Sequence, residues 1–168
     1  MASFEDAIAA LQRRAAAARA EGGAAAADAM SAHFITHERD VTLVQSGTHA
    51  AGEPGNAARG APPAQVSGWL GESFRMVRAT PGSDTASSLA GPTAIYSRVQ
   101  EQGAVITREP GYMKWEDNYD GAGWRVNYRH RVDVGPHPYM RPGVDQIIAD
   151  GSLRDNAQEA FAAVIAAA

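Results

Sequence analysis

Between Trp124 and Asp133 the chain alternates with a period of two. Trp124, Val126, Tyr128, His130 and Val132 share one side, and Arg125, Asn127, Arg129, Arg131 and Asp133 share the other. Such alternation over ten residues requires an extended strand with one face covered, because a helix would scatter the same residues around its axis. It is the clearest strand in the sequence, and three arginines lie on its polar side. Shorter strand patterns surround it. Phe74, Met76 and Arg78 alternate with Arg75 and Val77, a short strand ends at Gly91-Pro92, and residues 104–109 (AVITRE) lead into a turn at Pro110-Gly111. A short helix is predicted from Ala94 to Gln102, closed by Gly103.

Both ends of the chain read as helical. Ser3 with Asp6 resembles a capping box, Glu5 and Asp6 suit the positive helix start, and Phe4, Ile8 and Leu11 fall on one face. Steps of three and four carry that face on through Ala15, Ala18, Gly22, Ala25, Ala29, Ala32 and Thr36, a stripe of small residues that lets another element approach closely. Gly22-Gly23 costs about 1 kcal/mol per glycine relative to alanine and is the expected place for a kink or split. The C-terminal part is predicted helical with an interruption near Gly151-Ser152. Strands between helical ends, joined by hairpins and short links rather than repeated βαβ units, predict an α+β fold: a mainly antiparallel sheet flanked by a long N-terminal helix, a short middle helix and a C-terminal helix.

At 168 residues the chain suits one domain, with an N-terminal helix over 1–40, a flexible arm or loop over 46–63, a sheet core over 64–150 and a C-terminal helical segment over 140–168. The arm holds four glycines, three prolines and no large apolar residue, so its ordering needs contacts that it cannot supply itself. It is either disordered or ordered against a neighbouring subunit. Apolar residues make up 45% of the chain, yet many are alanine, which buries little area, so the intrinsic core is thin and partners are expected to complete it.

Charge narrows the function classes. Nineteen acidic and fifteen basic residues leave a formal charge of −4, and fourteen of the fifteen basic residues are arginine, with Lys114 the sole lysine. Arginine favours interface ion pairs, whereas a protein gripping DNA phosphates shows a basic stripe that this chain lacks. The absence of cysteine excludes disulfides, thiolate-bound zinc and thiol catalysis. Acids precede the first apolar residues, the reverse of a signal peptide, and no run of ~18 apolar residues occurs, so a soluble product without a membrane role is expected.

Catalytic patterns are weak. His33 and His37 lie one helical turn apart, but Glu38 follows the second histidine instead of standing between the two, and no third ligand is specified. His130 and His137 could serve as a base if a nucleophile converged on either. No nucleophile elbow, phosphate-cradling loop or dinucleotide fingerprint occurs, and the acids around Glu116 and Asp117 lack calcium-loop spacing. Catalytic, metal and cofactor residues are therefore expected to be none, and the chain is not expected to be an enzyme.

Residues 135–148 (GPHPYMRPGVDQII) set three prolines around an aromatic and an arginine directly before a helix. Pro136 and Pro138 restrict the backbone and Pro142 suits a first helical turn, giving a stiff corner. Tyr139 and Met140 can fill an apolar pocket and Arg141 can pair with a neighbour's carboxylate, or all three can pack within their own subunit.

Three elements in order resemble the tail-completion, or head-to-tail joining, family of long-tailed bacteriophages, also called minor tail components. They are Ser67-Gly68-x-Leu70-x-x-Ser73, Tyr96 with Glu101 and Gly103, and Pro138-Tyr139-x-Arg141-Pro142. The resemblance covers about residues 62–150; the extended acidic hairpin between Glu109 and Gly123 departs from it. It implies a structural virion protein of the phage neck, made in the host cytoplasm. This protein would form a homo-oligomeric ring, expected to have six subunits, between the head connector or stopper protein and the tail tube or tail terminator protein. DNA would pass through the lumen without sequence-specific binding. Candidate subunit-interface residues are Trp69, Leu70, Tyr96, Glu101, Tyr139, Met140, Arg141 and Pro142. The alternatives are a tail terminator capping the tube, a small metal-dependent hydrolase using His33, His37, His130 or His137, and a monomeric adaptor domain.

Overall fold

The computed structural model describes residues 4–45, 60–63, 68–82, 85–108, 111, 113–117 and 125–167. The fold is α+β. Helix α1 (Phe4–His37) runs directly into a π-turn (Glu38–Thr42). Then come α2 (Trp69–Glu72), β1 (Phe74–Val77), β2 (Leu89–Pro92), α3 (Ser97–Gln102), β3 (Ala104–Thr107), β4 (Met113–Asp117), β5 (Arg125–Arg129), β6 (Arg131–Val134), α4 (Met140–Ala149) and α5 (Ser152–Ala167). The expected cap at Ser3 and residues 46–59 of the expected arm lie outside the described residues. So do Ser67, Glu109, Pro110, Trp124 and the hairpin tip.

Where the length suggested one domain, the chain forms two compact units. The first comprises Met1–Thr36, Arg75–Gly91 and Asp145–Ala168; the second comprises His37–Phe74 and Pro92–Val144.

In the first unit the small-residue stripe of α1 does what its side chains allow. Gly22 is buried beneath the ring of Phe161, while His33 Nε2 hydrogen-bonds Ser152 Oγ at 2.8 Å, so α5 lies antiparallel along α1. Helix α1 is continuous through Gly22-Gly23, without a break. The packing that the missing Cβ atoms permit outweighs the propensity cost that suggested one. Further along α1, Asp28 Oδ1 accepts the Ala79 N–H at 2.7 Å, Ser88 Oγ donates to the Ala27 carbonyl at 2.6 Å, and Ser31 and Ser88 share a hydroxyl contact.

The two glycines should respond oppositely to alanine. Among the described residues a Cβ on Gly23 meets Ala86 Cβ at an ordinary 3.6 Å, so Gly23→Ala should raise stability by up to about 1 kcal/mol through helix propensity. A Cβ on Gly22 would stand 2.8 Å from Phe161 Cδ2 and 2.9 Å from Cε2, so Gly22→Ala should lower stability by about 1–2 kcal/mol despite the same propensity gain. Urea unfolding of the two variants side by side checks the sign of each change.

The second unit holds the β3–β6 and β4–β5 ladders, both antiparallel, with Thr107 opposite Arg131 and Met113 opposite Arg129. The single strand expected across Trp124–Asp133 is two strands separated at His130. The reason is on the other side of the ribbon, where six residue steps separate Thr107 from Met113 against two from Arg129 to Arg131. The surplus cannot pair residue for residue, which leaves a junction between two ladders. His130 secures it: its carbonyl accepts the Arg108 N–H at 3.0 Å and its Nδ1 donates to the Gly111 carbonyl at 2.8 Å. Among the described residues the strands form three two-stranded sheets, β1–β2, β3–β6 and β4–β5, rather than one larger sheet. The short middle helix ends as expected, with Gly103 at φ 72° as its C-cap and its N–H bonded to the Val99 carbonyl. No helix among the described residues is long and apolar enough to cross a membrane.

Candidate functional site

The three sequence elements at Gly68–Ser73, Tyr96–Gly103 and Pro138–Pro142 are far apart in the chain and meet in the second unit. The first opens with Gly68 in the left-handed region at φ 74°, starting α2, and closes with Ser73, whose hydroxyl donates to the Leu70 carbonyl at 2.7 Å. The Ser73 carbonyl in turn accepts both the N–H and the hydroxyl of Thr93, tying this element to the chain leading into the second. Trp69 and Tyr96 then meet edge to face with ring centroids 6.3 Å apart.

The second and third elements are joined by a carboxylate cap. Glu101 Oε2 accepts the N–H groups of Tyr139 at 2.8 Å and Met140 at 3.1 Å, and Oε1 accepts that of Arg141 at 3.4 Å. A helix start leaves several backbone donors unsatisfied and carries partial positive charge, and an anion placed there answers both. Here the anion comes from another helix, α3, rather than from a residue beside α4. Phe74, which directly follows the first element, meets Tyr139 of the third with the rings T-shaped and 6.4 Å apart.

The proline-rich approach to α4 is held along its length. The Pro136 carbonyl accepts the Gly60 N–H at 3.1 Å, the His137 N–H donates to the Gln100 carbonyl at 2.6 Å, and His137 Nδ1 donates to the Ala61 carbonyl at 3.1 Å. Residues 60 and 61, the end of the expected arm, are thus ordered against their own chain. Gly103 is also required by this packing, since a Cβ there would fall 2.8 Å from the Val134 carbonyl.

The candidate interface residues divide sharply. Tyr139 is fully buried within its own chain, its hydroxyl donating to the Ser97 carbonyl at a long 3.5 Å, and its phenol is pushed upward in pKa by burial first and then by Glu101 and Glu38. Tyr139 therefore fills a pocket of its own subunit, not a neighbour's, because Phe74 and α3 already enclose it. Glu101 is taken up by the α4 cap. Leu70, Tyr96 and Met140 are half-buried, whereas Trp69, Arg141 and Pro142 are exposed. Ile95, beside Tyr96, is almost wholly exposed at 98%.

Three of the candidate histidines have their own partners. His33 bonds Ser152, His130 bonds Gly111 and His137 bonds Ala61, each on a different element. Among the described residues no three histidine, aspartate or glutamate side chains cluster as metal ligands.

Beneath the corner are two residues that the sequence reading missed as a pair, Glu38 and Gly143. Glu38 is fully enclosed in the π-turn, and its carboxyl lies against the Cα of Gly143 in the first turn of α4. The only local signal was a glycine just inside a helix, where it costs about 1 kcal/mol and so asks for a packing reason. Comparison of the chain with protein-family models, with curated proteins and with solved structures gives no match.

Proposed function

We propose that this protein is a structural component of a phage neck, a ring of identical subunits joining head connector to tail tube with DNA passing through its lumen. The observation that carries this reading is the convergence of the three motif elements on one corner through Trp69–Tyr96, Glu101–Tyr139 and Phe74–Tyr139. Glu101 and Tyr139, both chosen for the tail-completion resemblance, are hydrogen-bonded neighbours, and Trp69, Arg141 and Pro142 in the same elements are exposed. Tryptophan and arginine are residue types that protein-protein anchors favour, and both are exposed in these elements. The thin core supports the same reading: Phe4 is 81% and Leu11 65% exposed on one face of α1, area that a neighbouring copy would cover.

Light scattering of the purified chain, alone and with tail-tube protein, tests the proposal. The expected particle is several times, and on the hexamer reading six times, the 17.7 kDa chain. Combined Trp69→Ala and Arg141→Ala should weaken assembly at least tenfold while leaving the unfolding transition nearly unchanged, since an interface anchor is worth about 2 kcal/mol or more only in the complex. A 17.7 kDa species under both conditions rejects the ring.

A further inference from the structure

The α4 corner needs Glu101, but nothing in its hydrogen bonding needs Glu38. Both Glu38 carboxyl oxygens, and the Thr42 hydroxyl four residues on, are enclosed without a hydrogen-bond partner among the described residues. No donor is left over for them at the start of α4. Glu101 takes the N–H groups of Tyr139, Met140 and Arg141, Pro142 has none, and the Gly143 N–H goes to the Tyr139 carbonyl at 3.1 Å.

Among the described residues the charge acting on Glu38 is that of a second carboxylate. From α3 comes the Glu101 carboxylate, and from the chain entering α4 the Tyr139 phenol. On α4 itself Arg141 is exposed. Helix α2 packs on the π-turn through Gly71 against Arg39 and Leu43, and its Glu72 is exposed. On the π-turn Arg39 and Asp40 are exposed, and the neighbouring His37 is buried. An ionised carboxyl enclosed this way, with the charge of another carboxylate acting on it, is strongly disfavoured; the neutral acid is not.

We propose that Glu38 is a proton-operated latch on the α4 corner. With its proton it fills the hollow over Gly143 and leaves Glu101 to hold the helix start; without it, two carboxylates oppose one another in an enclosed space and the first turn of α4 lets go. Burial first, and Glu101 second, push the Glu38 carboxyl up to about 8 from its ordinary 4.5. The direction of the linkage follows. A folded-state value above the unfolded one gives a contribution fully present below about 4.5, which declines as pH rises and is lost once pH passes about 8. Arg141 and Pro142 move with the first turn of α4, so whatever is seated on the exposed corner becomes sensitive to the same proton. The latch depends only on contacts within the chain and stands or falls separately from the ring.

Two measurements on the full-length protein decide it. Side-chain carboxyl NMR should show Glu38 titrating near pH 8, and the amides of Tyr139, Met140 and Arg141 should lose about tenfold or more of their hydrogen-exchange protection between pH 7 and 9, after correction for intrinsic exchange. The ionised fraction goes from about one tenth to about nine tenths across that interval. Glu38→Gln, which keeps the shape and removes the titration, should hold the protection of those amides within about twofold over the same interval. A Glu38 midpoint below about 6, or wild-type protection unchanged between pH 7 and 9, overturns the latch. Both readouts come from the unsubstituted protein, so failure of Glu38→Gln to fold leaves the decision intact.

Discussion

Replacing Gly143 by alanine is expected to destabilise the protein by about 3 kcal/mol or more, which for a chain of this length lowers the thermal midpoint by roughly 6–12 °C. The ordinary expectation is the reverse, since alanine inside a helix is favoured over glycine by about 1 kcal/mol. Local geometry reverses it. A Cβ on Gly143 would fall directly on the Glu38 carboxyl oxygen, 2.7 Å from Glu38 Cδ and 2.8 Å from Thr42 Oγ1. Neither neighbour has an easy retreat, because Glu38 and Thr42 belong to the same π-turn and both are enclosed. The clash is with one side chain, so its removal should reveal the coupling. Glu38→Ala combined with Gly143→Ala should be more stable than Gly143→Ala alone by about 1–3 kcal/mol, a non-additivity read from a double-mutant cycle in urea. A Gly143→Ala protein as stable as the wild type would show that the carboxyl is elsewhere.

Much of the fold was legible because its boundaries are written in local chemistry. Gly103 closes α3, and Gly151 at φ 81° separates α4 from α5, with its carbonyl accepting the Asp155 N–H. The alternation of buried Phe74, exposed Arg75, half-buried Met76 and exposed Val77 in β1 also followed from the sequence pattern. What was not legible depended on residues distant in the chain. The break at His130 has no glycine or proline to announce it, being imposed by surplus residues on the opposing strand. Helix α1 stays intact at Gly22-Gly23 because Phe161, well over a hundred residues away, packs where the side chains are missing. The π-turn after His37 is likewise silent in the sequence. It places Glu38 and Thr42 inward together, and both are enclosed.

The site was half legible for the same reason. Pro136, Pro138 and Pro142 marked a stiff corner, and the motif order marked Glu101 and Tyr139 as belonging with it. That the Glu101 carboxylate caps α4 could not be read, because a cap supplied across 38 residues leaves no spacing to recognise. The corner also holds two glutamates in opposite circumstances. Glu101 faces backbone donors at a helix start, which suits its charge, whereas Glu38 is enclosed against a glycine Cα and feels the Glu101 charge, which suits a neutral acid. Residue type alone would have treated them alike.

Tyr139→Ala should cost about 3–5 kcal/mol, the range for removing a large enclosed aromatic side chain. The ring is fully buried, meets Phe74 edge to face, and sits on the residue whose N–H makes the shortest bond to Glu101, so its loss empties the space between two of the three motif elements. Tyr139→Phe should cost less than about 1 kcal/mol, since the hydroxyl reaches the Ser97 carbonyl only at 3.5 Å, the outer edge of a hydrogen bond. The pair separates two roles that assembly measurements alone confuse. If Tyr139 acts by filling its own subunit, Tyr139→Ala lowers the unfolding midpoint of the isolated chain and disturbs any assembly only as a consequence, while Arg141→Ala affects assembly with the midpoint unchanged. Chemical unfolding of the three variants at a concentration where the chain is monomeric gives the answer. A Tyr139→Ala chain that unfolds at the wild-type midpoint would move the aromatic ring out of the core and back to a surface between subunits.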